Sequence, residues 1–157
     1  MRLARLSAVS LLLTGALGGS CTPPPSTNAY TPGLGEIMAS TQARHTKLWF
    51  AGEAANWELA DYELDELEEG FAAALEYHPT HKSSPEPLTF VLPKFMDGPV
   101  AELRDAIAAQ DQAQYATAHD NLTRGCNACH TATEFTFNVV IRPTANPFTN
   151  QQFALNK

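Results

Sequence analysis

The chain has 157 residues, 10 of them Lys or Arg and 17 Asp or Glu, for a formal net charge of −7. That balance excludes nucleic acid as a partner, because binding phosphate needs charge of the opposite sign. The length suits one folded domain with a single core.

Residues 1–20 read as an export signal. Arg2 and Arg5 give a positive start, and Leu6 to Leu17 form an apolar run too short to span a bilayer. Gly18, Gly19 and Ser20 then lead to Cys21, as at a bacterial lipoprotein processing site, with Leu17 four residues ahead of the cysteine rather than the usual three. Lipidation of Cys21 is the favoured expectation, and ordinary cleavage nearby is the other. Attached acyl chains would hold the protein at a membrane surface. Residues 21–32 carry Pro23, Pro24 and Pro25, and read as a semi-rigid tether. Loss of the leader removes two arginines and no acid, leaving eight basic against 17 acidic residues, a net charge of −9.

Residues 33–157 read as an all-α domain of four helices with no convincing strand. The first predicted helix runs from Leu34 to about Gly52, with Met38, Thr41, His45, Leu48 and Trp49 on one stripe. Asn56 is a plausible cap for the second. There Trp57, Ala60, Leu64, Leu67, Phe71, Ala74 and His78 recur at intervals of three and four, and Pro79 ends the pattern. Its other face carries Glu58, Asp61, Glu63, Asp65, Glu66, Glu68 and Glu69, which reads as solvated surface. His81 to Lys94 reads as a proline-rich loop, with Met96 in the same connection, and the third helix is expected from Pro99 through Ala108. Asp111 and Gln114 look like a capping pair for the fourth, which sets Tyr115, Ala118, Leu122, Cys126 and Cys129 on one stripe. His78, His81 and His119 read as surface residues. An irregular tail follows, with Phe137, Val139, Ile141 and Phe148 expected to pack over the bundle.

The most informative residues are Cys126-Asn127-Ala128-Cys129-His130. This is C-x-x-C-H, the attachment sequence for haem of the c type. The two thiols lie one helical turn apart and can add to the two vinyl groups of haem, while the adjoining imidazole binds the iron. A zinc site would need a second ligand pair, and the chain has no second cysteine pair. A thioredoxin-like motif would need a strand beside the helix. Attachment of haem outside the cytoplasm agrees with the export signal.

Four short helices with this motif late in the fourth resemble the cytochrome c′ family. The resemblance covers about Leu34 to Thr133 and is specific only at Cys126, Cys129 and His130. It implies an antiparallel four-helix bundle holding covalent haem near the end of its last helix. It also implies a distal residue early in the first helix, and Met38 occupies that place. Methionine there would mark the low-spin, methionine-ligated branch, with His130 as proximal ligand. His45, seven residues further along the same face, is the rival distal ligand. The proline-rich connection and the long tail depart from the family, and Arg142 in the tail is a guess, from charge alone, for a haem propionate partner.

The expected function is that of a periplasmic c-type cytochrome, not an enzyme, which carries single electrons through its haem iron to basic or membrane-bound redox partners. No nucleophile or acid–base constellation stands out. The alternative is a five-coordinate haem protein that binds nitric oxide or carbon monoxide, for detoxification or sensing. A haem-bearing assembly lipoprotein without turnover is a third reading. Proteins of this architecture often form homodimers through their first two helices, and the acidic face of the second counts against that here.

Overall fold

In a computed structural model, residues 30–155 are described, and those from Thr31 onward belong to one compact unit. The leader, Cys21 and nearly all of the tether lie outside the described residues. Four helices and no strand occur among those described: α1 (Leu34–Glu53), α2 (Trp57–Tyr77), α3 (Leu88–Ala109) and α4 (Gln112–Ala132). None is long and apolar enough to cross a membrane.

Cross-helix contacts run in opposite chain directions, so each helix is antiparallel to its neighbours. Thr41 lies against Gly70 while Arg44 meets Glu63 and Glu66, which sets α1 against α2. Gly125 approaches Phe95 while Asn121 meets Glu102, which sets α4 against α3. The core is filled by the expected faces of α1, α2 and α4, including Leu48, Leu64, Leu67 and Leu122, all fully buried. Asn56 caps α2, its side-chain oxygen accepting from the Leu59 amide at 3.3 Å. Asp111 caps α4, accepting from the amides of Ala113 and Gln114. These caps satisfy donors that the first helical turn would otherwise leave without partners.

The third helix corrects the sequence reading. It begins at Leu88, not Pro99, and takes in Pro93, Met96 and Pro99. Pro93 falls close enough to the start that the carbonyl it deprives is Thr89, in the first turn. Pro99 deprives the Phe95 carbonyl. Gly125 of α4 passes there so closely that a Cβ would lie 2.7 Å from that oxygen. The proline lesion is thus covered by a neighbouring helix, and the apolar row Leu88, Val91, Leu92, Met96, Val100 and Leu103 carries α3 through both prolines.

The acidic face of α2 is also not simply solvated. Glu63 is 1% exposed, facing Arg44 at 3.1 Å and Lys47 at 3.9 Å. Arg104 of α3 reaches Asp61, Asp65 and Glu68. Two neighbouring helices therefore neutralise much of this face.

Gly52 ends up buried near the close of α1, one residue before the helix stops, as expected. Its role is packing: a Cβ there would strike the ring of Tyr115, which is fully buried and donates its hydroxyl to the Leu48 carbonyl. Gly52→Ala should therefore cost about 1–3 kcal/mol in denaturant unfolding. Gly35→Ala, where a Cβ meets nothing within 4 Å, should instead gain up to about 1 kcal/mol.

Candidate functional site

Cys126, Cys129 and His130 occupy the last two turns of α4, on the side facing the bundle interior. Two adjoining cavities, of about 70 Å³ and 160 Å³, share Met38, Leu92, Cys129, His130 and Asn138 as walls. Together they form one apolar cleft lined by all four helices, with Leu67, Phe71 and Ala74 from α2. Cys126 and Met96 line its inner half, while His81 and Phe135 line its outer half. Met96 is 2% exposed and belongs to α3, so it reaches the cleft from a helix, not from a folded-over loop.

Burial controls the thiols. Loss of solvent raises the Cys126 thiol to about 12, with the Cys129 charge adding to the effect, and burial also raises Cys129. Neither is a reactive thiolate at neutral pH.

The His130 ring is held by a single bond. Its Nδ1 lies 2.6 Å from the Asn138 carbonyl oxygen. A carbonyl only accepts, so Nδ1 carries the proton, and in the neutral ring the lone pair is on Nε2. The tail supplies that carbonyl, and Asn127 holds the tail in place. The Asn127 amide donates to the Val140 carbonyl at 2.8 Å, and its oxygen accepts from the Val140 amide at 2.8 Å. Asn127 is the second residue of the C-x-x-C-H run.

His45 sits deeper. It is 3% exposed and its Nε2 lies 2.9 Å from Thr123 Oγ1. That hydroxyl donates to the His119 carbonyl at 2.9 Å, so it accepts from His45 Nε2–H. His119 Nε2 in turn donates to the His45 carbonyl at 3.1 Å. The two rings are 4.4 Å apart, with Trp49 5.0 Å from His119. The bond between His45 and Thr123 also fixes the register of α1 against α4. Seven residues back from His45 is Met38, and seven residues on from Thr123 is His130. The antiparallel register therefore sets Met38 opposite His130, two turns or roughly 10 Å along the axis from His45.

Several expectations need correction. His119 is fully buried rather than superficial, because it stands four residues after Tyr115 on the inward stripe of α4. That spacing was the available signal. His78 is half-buried, donating to the Pro32 carbonyl at 2.8 Å, and His81 lines the cleft with its ring 5.4 Å from Phe135. Arg142 is already engaged: it pairs with Asp120, donates to the Ala116 carbonyl at 3.2 Å and stacks 4.4 Å above Trp49. It is no free partner for an anion in the cleft. In the tail, Val140 and Phe153 are buried, and Phe148 packs in part on the core, but Phe137, Val139 and Ile141 face solvent. The two-bond clamp turns Val140 inward, and the period of two turns its neighbours outward. The Asn138 carbonyl was beyond sequence reasoning, since it is main chain.

Among the described residues, no three His, Cys, Asp or Glu side chains converge as a bare metal ion would require. No protein-family model, curated protein or solved structure matches this chain.

The buried histidines give the fold a pH dependence. Burial is the main cause holding His45 at about 3 and His119 at about 4, each below the usual 6.5. Both are neutral in the folded chain, and in the unfolded chain they take up protons below pH 6.5. Their contribution is thus complete above that pH and is lost as pH falls towards 4. Between pH 6.5 and 4.5 each should cost roughly 2–3 kcal/mol of unfolding free energy. Denaturant titrations over that range should show the loss, and His119→Phe should remove about half of it.

Proposed function

We propose that this is a c-type cytochrome of the cytochrome c′ kind, exported to the periplasm, which carries single electrons. The observation that carries the reading is the His130 imidazole: it is locked as the Nδ1–H tautomer by Asn138, and its Nε2 lone pair is free beside two inward-facing thiols.

The residues fit a covalently held haem. Cys126 and Cys129 would carry the thioether links. Burial that disfavours a thiolate costs a thioether nothing, since no charge is involved. His130 would be the proximal ligand, and a carbonyl on its far nitrogen is the usual outer-shell support for a ligating histidine, fixing its orientation and raising its basicity. Met38 would be the distal ligand. The register of α1 on α4 supports it over His45, whose Nε2–H is already given to Thr123. A haem so bound supplies a reversible one-electron iron couple, and a Met/His ligand pair places it at high potential. The chain's own part is to exclude water with Leu92, Met96 and Phe71, and to keep both ligands still on packed helices.

Lipidation at Cys21 and a periplasmic membrane tether belong to the same proposal. They rest on the sequence from Arg2 to Cys21. A membrane-bound redox partner then suits the tether, which raises the effective concentration of the two.

Expression with the haem-attachment machinery should give a red protein whose haem survives denaturation. The spectrum should be low-spin in both oxidation states. Met38→Ala should turn it high-spin and able to take up carbon monoxide at once, whereas His45→Ala should leave it low-spin. An unchanged spectrum in Met38→Ala removes Met38 as ligand. A colourless protein with both thiols open to alkylation ends the haem reading altogether.

Asn127→Ala tests the outer support. It frees Val140, loosens the Asn138 carbonyl and lowers the basicity of His130. The midpoint potential should rise in voltammetry while the low-spin spectrum persists. An unchanged potential would show that the clamp does not reach the iron ligand.

A further inference from the structure

His81 borders the outer half of the cleft, on a connection tied down at several points. The Leu88 amide donates back to the Pro79 carbonyl at 2.9 Å, and the Ser84 amide to the His81 carbonyl at 3.0 Å. The His81 ring lies 5.4 Å from that of Phe135, which lines the same cavity.

The same turn fixes the proton on the ring. The Ser83 amide donates to His81 Nδ1 at 3.2 Å. A nitrogen that accepts carries no hydrogen, so the neutral ring keeps its own on Nε2. That Nε2–H has no partner among the described residues. His130, in the same cavity, has the opposite arrangement, with Nδ1 protonated by its bond to Asn138. One cavity thus holds two imidazoles fixed in opposite tautomers. One presents a lone pair and can ligate a metal; the other presents a hydrogen and can only donate.

The other polar groups of the cleft are less suited to that task. Thr41 and Thr133 give their hydroxyls to main-chain carbonyls, and His45 is bonded to Thr123. Gln42 and Asn138 have uncommitted amides, but both residues are exposed, where water competes for them. No Lys or Arg among the described residues lines either half.

We infer that His81, through its Nε2–H, is a positioning residue for a haem propionate, taking the part that Arg142 cannot. This rests on the haem reading above. Haem carries its two propionates on the edge away from its vinyl groups. Cys126, which would take one vinyl, lines the inner half, so the carboxylate edge belongs to the outer half, with His81. A carboxylate drawn out of water there needs a donor. A hydrogen bond to an ionised acceptor is roughly twice as strong as one between neutral groups.

Resonance Raman spectra of the full chain, expressed with the haem-attachment machinery, test this through the propionate bending mode. The mode should fall in frequency in His81→Phe, which keeps an aromatic ring beside Phe135 and loses the donor. It should return in His81→Gln, which restores one. The midpoint potential should also fall in His81→Phe, because a carboxylate without its donor stabilises oxidised iron more strongly. Lys82→Gln should leave the mode in place, since Lys82 is exposed and lines neither half. Helical circular dichroism should be unchanged in all three variants. In the unaltered, reduced chain, the His81 Nε2 proton should exchange with water more slowly with haem attached than without it, and that exchange decides the matter if His81→Phe does not fold. Equal exchange in both overturns the assignment, as does an unmoved mode in His81→Phe or one that His81→Gln fails to restore. A red chain with an unmoved mode sinks the role of His81 alone, whereas a colourless chain sinks the haem reading and that role with it.

Discussion

The hydrogen bond from His45 to Thr123 is the constraint on which the rest depends. It joins α1 to α4 in the middle of the bundle, at 2.9 Å, between two buried residues. A slip of either helix by one turn would strand the His45 and His119 rings, whose bonds cross between the two helices, without those partners in a dry core. Each would then cost a desolvation penalty of about 1–3 kcal/mol. Apolar residues cannot enforce register in this way, because Leu against Leu tolerates sliding. The polar trio therefore decides what stands opposite what, and two turns away it sets Met38 against His130. Arg142, laid over Trp49 and tied to Asp120, closes the outside of the same layer. Folding and the geometry of the cleft are set by one buried network.

The ends of α4 are specified just as locally. Asp111 starts the helix through its side chain, and near the other end Asn127 takes hold of the returning tail. Asn127 lies between the two cysteines, so the residue that folds the tail back is placed by the same turn that aims the thiols. The tail then supplies the carbonyl that orients His130. On the proposed reading, the proximal ligand is supported by main chain that a neighbouring side chain positions, and no dedicated acidic partner is needed.

Much of this was legible in the sequence, and the failures have physical causes. The strict three-and-four spacing of α2, the caps at Asn56 and Asp111 and the C-x-x-C-H run each act through neighbours along the chain, so local rules found them. The start of α3 was misplaced because Pro93 was assigned to a loop and Pro99 to a helix's first turn, whereas the buried row from Leu88 to Leu103 outweighs the two lost bonds. Met96 went astray with it. His119 was misjudged because its polarity was given more weight than its place four residues from Tyr115. The tail was read one residue out of phase: Phe137, Val139 and Ile141 are the more apolar set, and only the bonds from Asn127 make Val140 the inward one. Glu63 looked like surface because its cations, Arg44 and Lys47, lie on another helix.

Two of these failures share a pattern that bears on the site itself. For the tail and for Glu63 a contact between distant segments overrode a local preference, and the tail's contact lies at the cleft. Residues chosen only for packing would have followed the local rules, as they do along α2. Around the cleft the chain accepts two prolines in a helix, two neutral histidines in the core and an apolar strip held facing water. Each is costly alone and is sustained by a named partner: Gly125 beneath the Phe95 carbonyl, Thr123 for His45, and Asn127 for the tail. Departures of this kind concentrate where a protein is built for something besides stability. Here they converge on Cys126, Cys129 and His130, which makes that end of the bundle the place to look for what the protein does.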